Sequence, residues 1–355
     1  TIENTINLYG INFPQEKIHV HFDKEVYLPG ETIWFKAYLF EEYLPSTKST
    51  NFYASLYDED GKLIQQQLCP IYNGTTDGHF QIPDSLKSRQ IICRAYTTWM
   101  LNFDTVFLYT KAIGLINNDA KAGDKKTKTV AVQFFPEGGY MVEGTRNTIA
   151  FKANYNNGLP FDINGVIKKQ ETGEVMMQVQ SLHDGMGRFD LDIQANEKFY
   201  LEWMDDKGAL QQTYLPNAKP TGVSLKLALV KNDIVFNLVN KLPKDSLHIL
   251  MYLYQKVFYK TDIAVSPEEP FTARVPVKTL PTGIIQLTVF DADWQPVAER
   301  VAFLNNNNYL SGVTIKNTET STKKRGKNTI EIEVTDTIAS NMSLSITDAE
   351  MNNEA

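Results

Sequence analysis

The residues able to do chemistry in this 355-residue chain are few and scattered. His19, His21 and Asp23 alternate along Ile18-His19-Val20-His21-Phe22-Asp23. On a strand they share one face in steps of about 7 Å, a spacing open to a metal ion. No further ligand of the right type is evident nearby, and a solvated polar strand face accounts for the same residues. His183-Asp184 has no serine in a nucleophile elbow beside it, and His79 and His248 read as singly satisfied strand residues. Asp58-Glu59-Asp60-Gly61, Asp205-Asp206-Lys207-Gly208 and Asp291-Ala292-Asp293 are acidic runs without the spacing of an EF-hand loop, and hairpin-turn chemistry explains all three. Carboxylates so common in turns cannot be paired into a glycosidase site from sequence. Gly138-Gly139 and Gly185-x-Gly187 open no helix, so neither is a phosphate loop. No catalytic residue, cofactor-binding residue or metal ligand is assigned, and the binding residues are left unassigned.

Two further groups leave alternatives open. Cys69 and Cys93 each fall on an expected strand of one sandwich. They can pair only if their Cα atoms lie within about 7 Å, while Cys93, in line with Ile91 and Ala95, also reads as a small core residue. Trp34, Trp99, Trp203 and Trp294, with 17 tyrosines, are the better binding candidates. They suit a sugar platform or a protein hot spot, but also sandwich cores and interdomain contacts.

The elements that must position these residues are strands. Ile18, Val20 and Phe22 alternate with polar neighbours. Pro29-Gly30 has the chemistry of a type II turn. Ile33, Phe35, Ala37 and Leu39 then line one face of a second strand, with Trp34, Lys36 and Tyr38 on the other. Strand signals continue at Phe52–Tyr57, Lys62–Leu68, Gly78–Ile82, Gln90–Tyr96 and Thr105–Ile113, enough for one sandwich. The order of signals then repeats. Ile149-Ala150-Phe151-Lys152-Ala153 parallels Ile33-Trp34-Phe35-Lys36-Ala37, and Gly187-Arg188-Phe189 parallels Gly78-His79-Phe80. Recurrence at domain length is stronger evidence than any single strand.

The fold class expected is therefore all-β, a tandem array of immunoglobulin- or fibronectin-like antiparallel sandwiches. The expected divisions are a first sandwich with its lead-in at 1–116, a linker at 117–128, a second sandwich at 129–216, a third at 217–305 and a partial fourth at 306–355. That last stretch offers three strand candidates, Gly312–Lys316, Thr329–Val334 and Ser343–Thr347. A half-sandwich is expected to lie against the third sandwich, pair with another copy or be poorly ordered, and the natural protein is expected to continue past it. The 35 basic and 42 acidic residues leave a net charge of −7, which argues against a nucleic-acid partner. No apolar run reaches the roughly 18 residues of a transmembrane helix, and no signal peptide is read at the start.

Asp23-Lys24-x-x-Tyr27-x-Pro29-Gly30-Glu31-Thr32-x-x-Phe35-Lys36-Ala37 resembles the opening of the second macroglobulin domain in the alpha-2-macroglobulin superfamily, above all in envelope proteins of Bacteroidetes-type bacteria. Phe134-Phe135-Pro136-Glu137-Gly138-Gly139, Leu280-Pro281-Thr282-Gly283-Ile284 and Ala298-Glu299-Arg300 extend the likeness over most of the chain. The resemblance implies an extracytoplasmic, non-catalytic interaction module in the periplasm or at the outer-membrane surface. Its implied partners are a protease, as in protease trapping, or an outer-membrane uptake receptor. Neither cysteine lies in the Cys-Gly-Glu-Gln run that the family's thioester needs. A carbohydrate-binding or carbohydrate-processing sandwich is the alternative: an open acidic cleft flanked by aromatics would favour it, and aromatics buried between domains would favour the module.

Overall fold

The computed structural model describes residues 2–117, 129–156, 158–266, 269–335 and 340–347. They fall into two compact units, one of Thr1–Leu8 with Lys125–Asn308 and the other of Tyr9–Asp124 with Tyr309–Ala355. The expected linker at 117–128 lies, apart from Asn117, outside the described residues. The lead-in forms a helix, α1 (Ile2–Asn12). Almost everything else ordered into elements is strand, as the period-2 patterning requires.

The first sandwich contains β1 (Glu16–Phe22), β2 (Val26–Tyr27), β3 (Thr32–Glu41), β4 (Leu44–Pro45), β5 (Asn51–Asp58), β6 (Leu63–Pro70), β7 (Thr75–Gln81), β8 (Gln90–Thr97) and β9 (Tyr109–Leu115). β3 sits between β1 and β7 in one sheet, and the other has the order β2-β9-β8-β5-β6. The ladders are antiparallel apart from the two-residue β2–β9 pair. Ile33, Phe35, Ala37 and Leu39 are buried against Phe52, Ala54, Leu56, Ile91 and Ala95 of the facing sheet. Inside this sandwich Glu16 is buried and accepts hydroxyl hydrogen bonds from Ser46, Ser49 and Thr97 at 2.6, 2.7 and 2.5 Å. Three donors around one carboxylate replace the water it loses on burial.

One reading of this sandwich is corrected, and one alternative that the sequence left open is decided. Thr105–Phe107 is a 3-10 turn, not the start of a strand, because the Asp104 carboxylate caps it by accepting from Val106 N–H at 2.9 Å. Cys69 and Cys93 are free and buried. They flank β5, facing Phe52 and Leu56 respectively. Two strand spacings of about 4.8 Å and four residues of rise keep them far outside disulfide reach. Burial pushes the Cys93 thiol up to about 12, so it stays protonated at neutral pH.

The second sandwich has β10 (Val130–Pro136), β11 (Thr145–Tyr155), β12 (Asn164–Lys169), β13 (Val175–Gln180), β14 (Met186–Ile193), β15 (Phe199–Met204) and β16 (Leu210–Tyr214). The third has β17 (Val223–Val230), β18 (Asp233–Asn240), β19 (Ser246–Leu253), β20 (Lys256–Ala264), β21 (Pro270–Pro276), β22 (Gly283–Phe290) and β23 (Pro296–Leu304). Each pairs a three-stranded sheet, β10-β11-β14 or β17-β18-β21, with a four-stranded one, β13-β12-β15-β16 or β20-β19-β22-β23. Strands β10, β16 and β20 are additions to the sequence reading. The β19–β20 hairpin turns on Tyr254 and Gln255, both at positive φ (50° and 60°), so it has the backbone of a type I′ turn without the glycine or asparagine that signals one.

Beyond the third sandwich, β24 (Val313–Glu319) and β25 (Thr329–Val334) form a two-stranded antiparallel sheet. The strand expected at Ser343–Thr347 is not one: this stretch makes no ladder with any strand. It is held instead by side chains of the first sandwich.

One cross-strand pair recurs. Phe35 on β3 faces Gly78 on β7, and Phe151 on β11 faces Gly187 on β14. A Cβ at Gly78 would lie 2.6 Å from Cζ of Phe35, and one at Gly187 would lie 2.4 Å from Cζ of Phe151. The ring thus fills the space that the glycine leaves. The third sandwich sets Phe236 against Ala273. Phe35→Ala and Phe151→Ala are each expected to lower stability by about 3–5 kcal/mol in chemical denaturation, through lost burial and a residual cavity. A cost below about 1 kcal/mol would mean that the ring is not where the core needs it.

Candidate functional site

The Asp23–Ala37 motif is a corner. Asp23 ends the run of β1 and its Oδ1 accepts from Trp34 N–H at 2.8 Å and from the Tyr27 hydroxyl at 2.7 Å. Tyr27 is fully buried on β2, in the opposite sheet, so this carboxylate ties together the point where the chain changes sheets. Burial, with the Asp23 hydrogen bond, drives the Tyr27 hydroxyl well above the ordinary tyrosine range. Lys24 pairs with Glu31 at 2.8 Å, and Glu31 also accepts from Leu28 N–H at 2.9 Å. Gly30, at φ 84°, takes the turn position that a side chain would strain, and a Cβ there would strike Asp84 Oδ1 at 2.2 Å. The motif's polar residues therefore have structural partners, and Asp23 does not join the two histidines.

Those histidines stand on the outer face of the first sandwich. Cross-strand register places His19 beside Tyr38, His21 beside Lys36, and Trp34 beside His79. Trp34 is 57% exposed, and its ring lies 4.9 Å from that of His79. Segment 341–345 crosses this face. Lys36 Nζ donates to the Asn341 side chain and to Met342 O, and Asn341 Nδ2 donates to Thr75 Oγ1 at 2.9 Å. The Tyr38 hydroxyl donates to Ser343 Oγ at 2.8 Å, while the His21 ring meets Ser343 Oγ at 2.6 Å and Ser345 Oγ at 3.3 Å. Every second residue of the segment is a polar peg, and Met342 and Leu344 between them face solvent, as does Ile346 beyond the last.

The remaining candidates lie apart. His183 and Asp184 form an exposed pair at 3.0 Å. His248 Nδ1 lies 2.7 Å from Asp262 Oδ1, and its ring stacks on Trp294 at 3.9 Å and 3°. The three acidic runs are one turn device: Asp58, Asp205 and Asp291 each accept from the N–H groups two and four residues on. The residue three along has positive φ, and it is Gly61, Gly208 and Trp294 in turn. Trp203 is core, and Trp99 donates its indole N–H to Pro14 O at 2.7 Å. Among the described residues no group of three or more His, Cys, Asp or Glu could hold a metal ion.

Two motifs far apart in sequence meet where the second sandwich joins the third. Glu137, 9% exposed by side chain, accepts from Arg300 Nη2 at 2.7 Å. Glu299 N–H donates to Gly138 O at 3.3 Å, the Tyr140 hydroxyl donates to Val297 O at 2.5 Å, and Lys219 Nζ sits 3.5 Å above the Tyr140 ring. Beside this joint opens a cleft of about 600 Å³, between the outer faces of β11–β14 and β17–β18. Its polar lining includes Arg146, Thr148, Arg188, Asp190, Lys226 and Asn237. Asp190 accepts from Thr148 Oγ1 at 2.5 Å and pairs with Arg146 at 3.2 Å and Lys226 at 3.6 Å. The Thr148 hydrogen bond, then the cations, hold its carboxyl below the ordinary value of 3.8. Sequence reasoning missed these residues because outward polar positions on strands look like any solvated face. The one available signal was Gly187-Arg188-Phe189-Asp190, read for its core residue alone.

Glu137→Gln is expected to cost on the order of 1–3 kcal/mol, read by calorimetry, because it leaves the Arg300 guanidinium without its charge partner. Asp190 gives a pH test. Its folded carboxyl titrates below the unfolded one, so its stabilising contribution is present above pH 3.8 and is lost as pH falls through the lowered folded value. The stability gap between the native chain and Asp190→Asn, measured between about pH 2 and 5, is expected to narrow as pH falls. A gap independent of pH would contradict the ion network.

No family model matches the chain, and no curated protein matches it. Among solved structures it is similar to the native conformation of Escherichia coli alpha-2-macroglobulin, at 11% identity and a TM-score of 0.25, covering 87% of this chain and 24% of that one. Escherichia coli alpha-2-macroglobulin activated by porcine elastase is similar at 11% identity and a TM-score of 0.32, with 90% of this chain and 33% of that one covered. A tetra-tandem repeat from the extending region of a large adhesion protein is similar at 10% identity and a TM-score of 0.21, covering 82% of this chain and 74% of that one. The chain thus spans a quarter to a third of the macroglobulin chains it resembles. No helix among the described residues is long and apolar enough to cross a membrane.

Proposed function

We propose that this chain is a non-catalytic interaction module of macroglobulin-type sandwiches, belonging to the bacterial cell envelope and presenting surfaces to protein partners. The observation that carries this reading is where its chemistry-bearing residues go. Asp23 holds a corner, His21 holds segment 341–345, His248 is stacked on Trp294 and hydrogen-bonded to Asp262, and Glu137 holds the joint. Residues that resemble the macroglobulin family, Phe134–Gly139 and Ala298–Arg300, meet at that joint, which is the use an array of sandwiches would make of them. Within this reading, protease trapping and association with an outer-membrane uptake receptor are the two roles that the family resemblance implies.

Trp34 favours the second reading, a carbohydrate-binding protein, because it is 57% exposed on an outward sheet face. Against it, Trp203 is buried in the second core, and the cleft beside the joint carries Arg146, Arg188 and Lys226 in place of paired acids and tryptophans.

Two measurements test the proposal. Fractionation of cells producing the natural protein is expected to recover it with the envelope, and recovery in the cytosol would overturn the assignment. In affinity electrophoresis through gels containing polysaccharides the protein is expected to migrate unretarded. Retardation abolished by Trp34→Ala would replace the module with the carbohydrate reading.

A further inference from the structure

The cleft beside the joint is cationic on an acidic protein. The whole chain carries a net charge of −7. The Glu137 carboxylate at the cleft's edge is already matched by Arg300. Of the remaining lining residues Arg146, Arg188 and Lys226 are cations and Asp190 is an anion; with Asp192, which lies outside the lining but within reach of Arg146, the excess is one positive charge. Asp190 is shared between Arg146 and Lys226, and Arg146 also reaches Asp192 at 3.9 Å. Arg188 has no ion-pair or hydrogen-bond partner among the described residues. Its cross-strand neighbour on β11 is Ala150, so nothing large stands beside the guanidinium on that side.

The walls decide the shape of what fits. Both are outward faces of antiparallel sheets, β11–β14 on one side and β17–β18 on the other. Neither is a helix N-terminus or a glycine-rich loop that would wrap a phosphate. Arg188 and Asp190 are alternate residues of one strand, so their side chains project about 7 Å apart on one face. Lys226 reaches Asp190 from the opposite wall. The Lys226 ammonium, 3.6 Å from the Asp190 carboxylate, therefore stands near the position two residues along from Arg188, the step at which an extended peptide presents alternate side chains.

We propose that this cleft docks an extended acidic segment of a protein partner, with one carboxylate forked onto Arg188 and a second, two residues along, taken by Lys226. The planar guanidinium suits bidentate pairing with a carboxylate, and the ammonium acts as a point charge. This deepens the reading of the chain as a protein-interaction module and rests on it.

The test uses the full 355-residue chain and a fluorescein-labelled peptide, Glu-Thr-Glu-Thr-Glu, followed by fluorescence anisotropy at low ionic strength. The peptide is expected to bind, to weaken as salt rises, and to lose about tenfold or more in affinity with Arg188→Gln, and likewise with Lys226→Gln. The Gln-Thr-Gln-Thr-Gln peptide is expected to bind at least about tenfold more weakly. Changing Lys323 and Lys324, in the most basic run of the sequence, to glutamine is expected to leave binding unchanged. Thermal unfolding of each variant confirms that the fold is kept; Arg188 is exposed and has no hydrogen bond or ion pair to lose among the described residues. Absence of binding, equal binding by Arg188→Gln, equal binding of the glutamine peptide, or loss of binding in the Lys323/Lys324 variant would each overturn the proposal. So would displacement by inorganic phosphate at concentrations matching the peptide, which would make the cleft a simple anion site. Cytosolic recovery in fractionation would instead remove the envelope assignment and leave the peptide result standing, so the two failures are separable.

Discussion

A phenyl ring seated over a glycine sets the register on which the first two sandwiches depend. Phe35 over Gly78 and Phe151 over Gly187 fix how the second strand of each sandwich pairs with the strand beside it. Because side chains alternate with a period of two, that one pairing decides which residues enter the core and which face water. Shift it by one and Trp34 and Lys36 would be buried, while Ile33, Phe35 and Ala37 would be exposed. The outer faces, including the histidine-rich face and the cationic cleft, are the complement of that choice.

Carboxylates do the second kind of structural work. Glu16 gathers three hydroxyls inside the first sandwich, Asp23 ties the sheet-changing corner, and Asp58, Asp205 and Asp291 close hairpins by accepting backbone N–H groups. Each offsets backbone or hydroxyl donors that a turn or corner would otherwise leave unpaired. Trp294 marks a departure. It occupies the positive-φ position that glycine fills in the two other turns, a conformation costing of order 1 kcal/mol, and stacks on His248 there.

The joint between the second and third sandwiches turns this local order into a surface. Glu137 and Arg300 form a largely shielded pair, and the backbone bridge between Gly138 and Glu299 runs beside it. With that joint fixed, the outer faces of β11–β14 and β17–β18 stand as two walls, and residues that on one sheet would be ordinary solvated positions converge in a cleft. The cleft is a property of two neighbouring faces, neither of which is distinctive alone.

The all-β class, the inward rows of the first two sandwiches, the Pro29-Gly30 turn and the acidic hairpins were legible in the sequence. Alternation and turn chemistry are imposed by local sterics and are therefore written locally. Strands β10, β16 and β20 were not read. β20 follows a turn whose positive-φ residues are Tyr254 and Gln255, so the usual marker of a hairpin is missing. The tertiary structure alone decided that Cys69 and Cys93 flank a common strand and cannot bond, that Glu137 meets a residue 163 positions away, and that Asn341 and Ser343 lie on Lys36 and Tyr38. Those pairings depend on how finished strands stack and how sandwiches abut. No local pattern encodes that geometry, because the groups that satisfy one another lie far apart in the chain and meet only through the stacking of whole sheets.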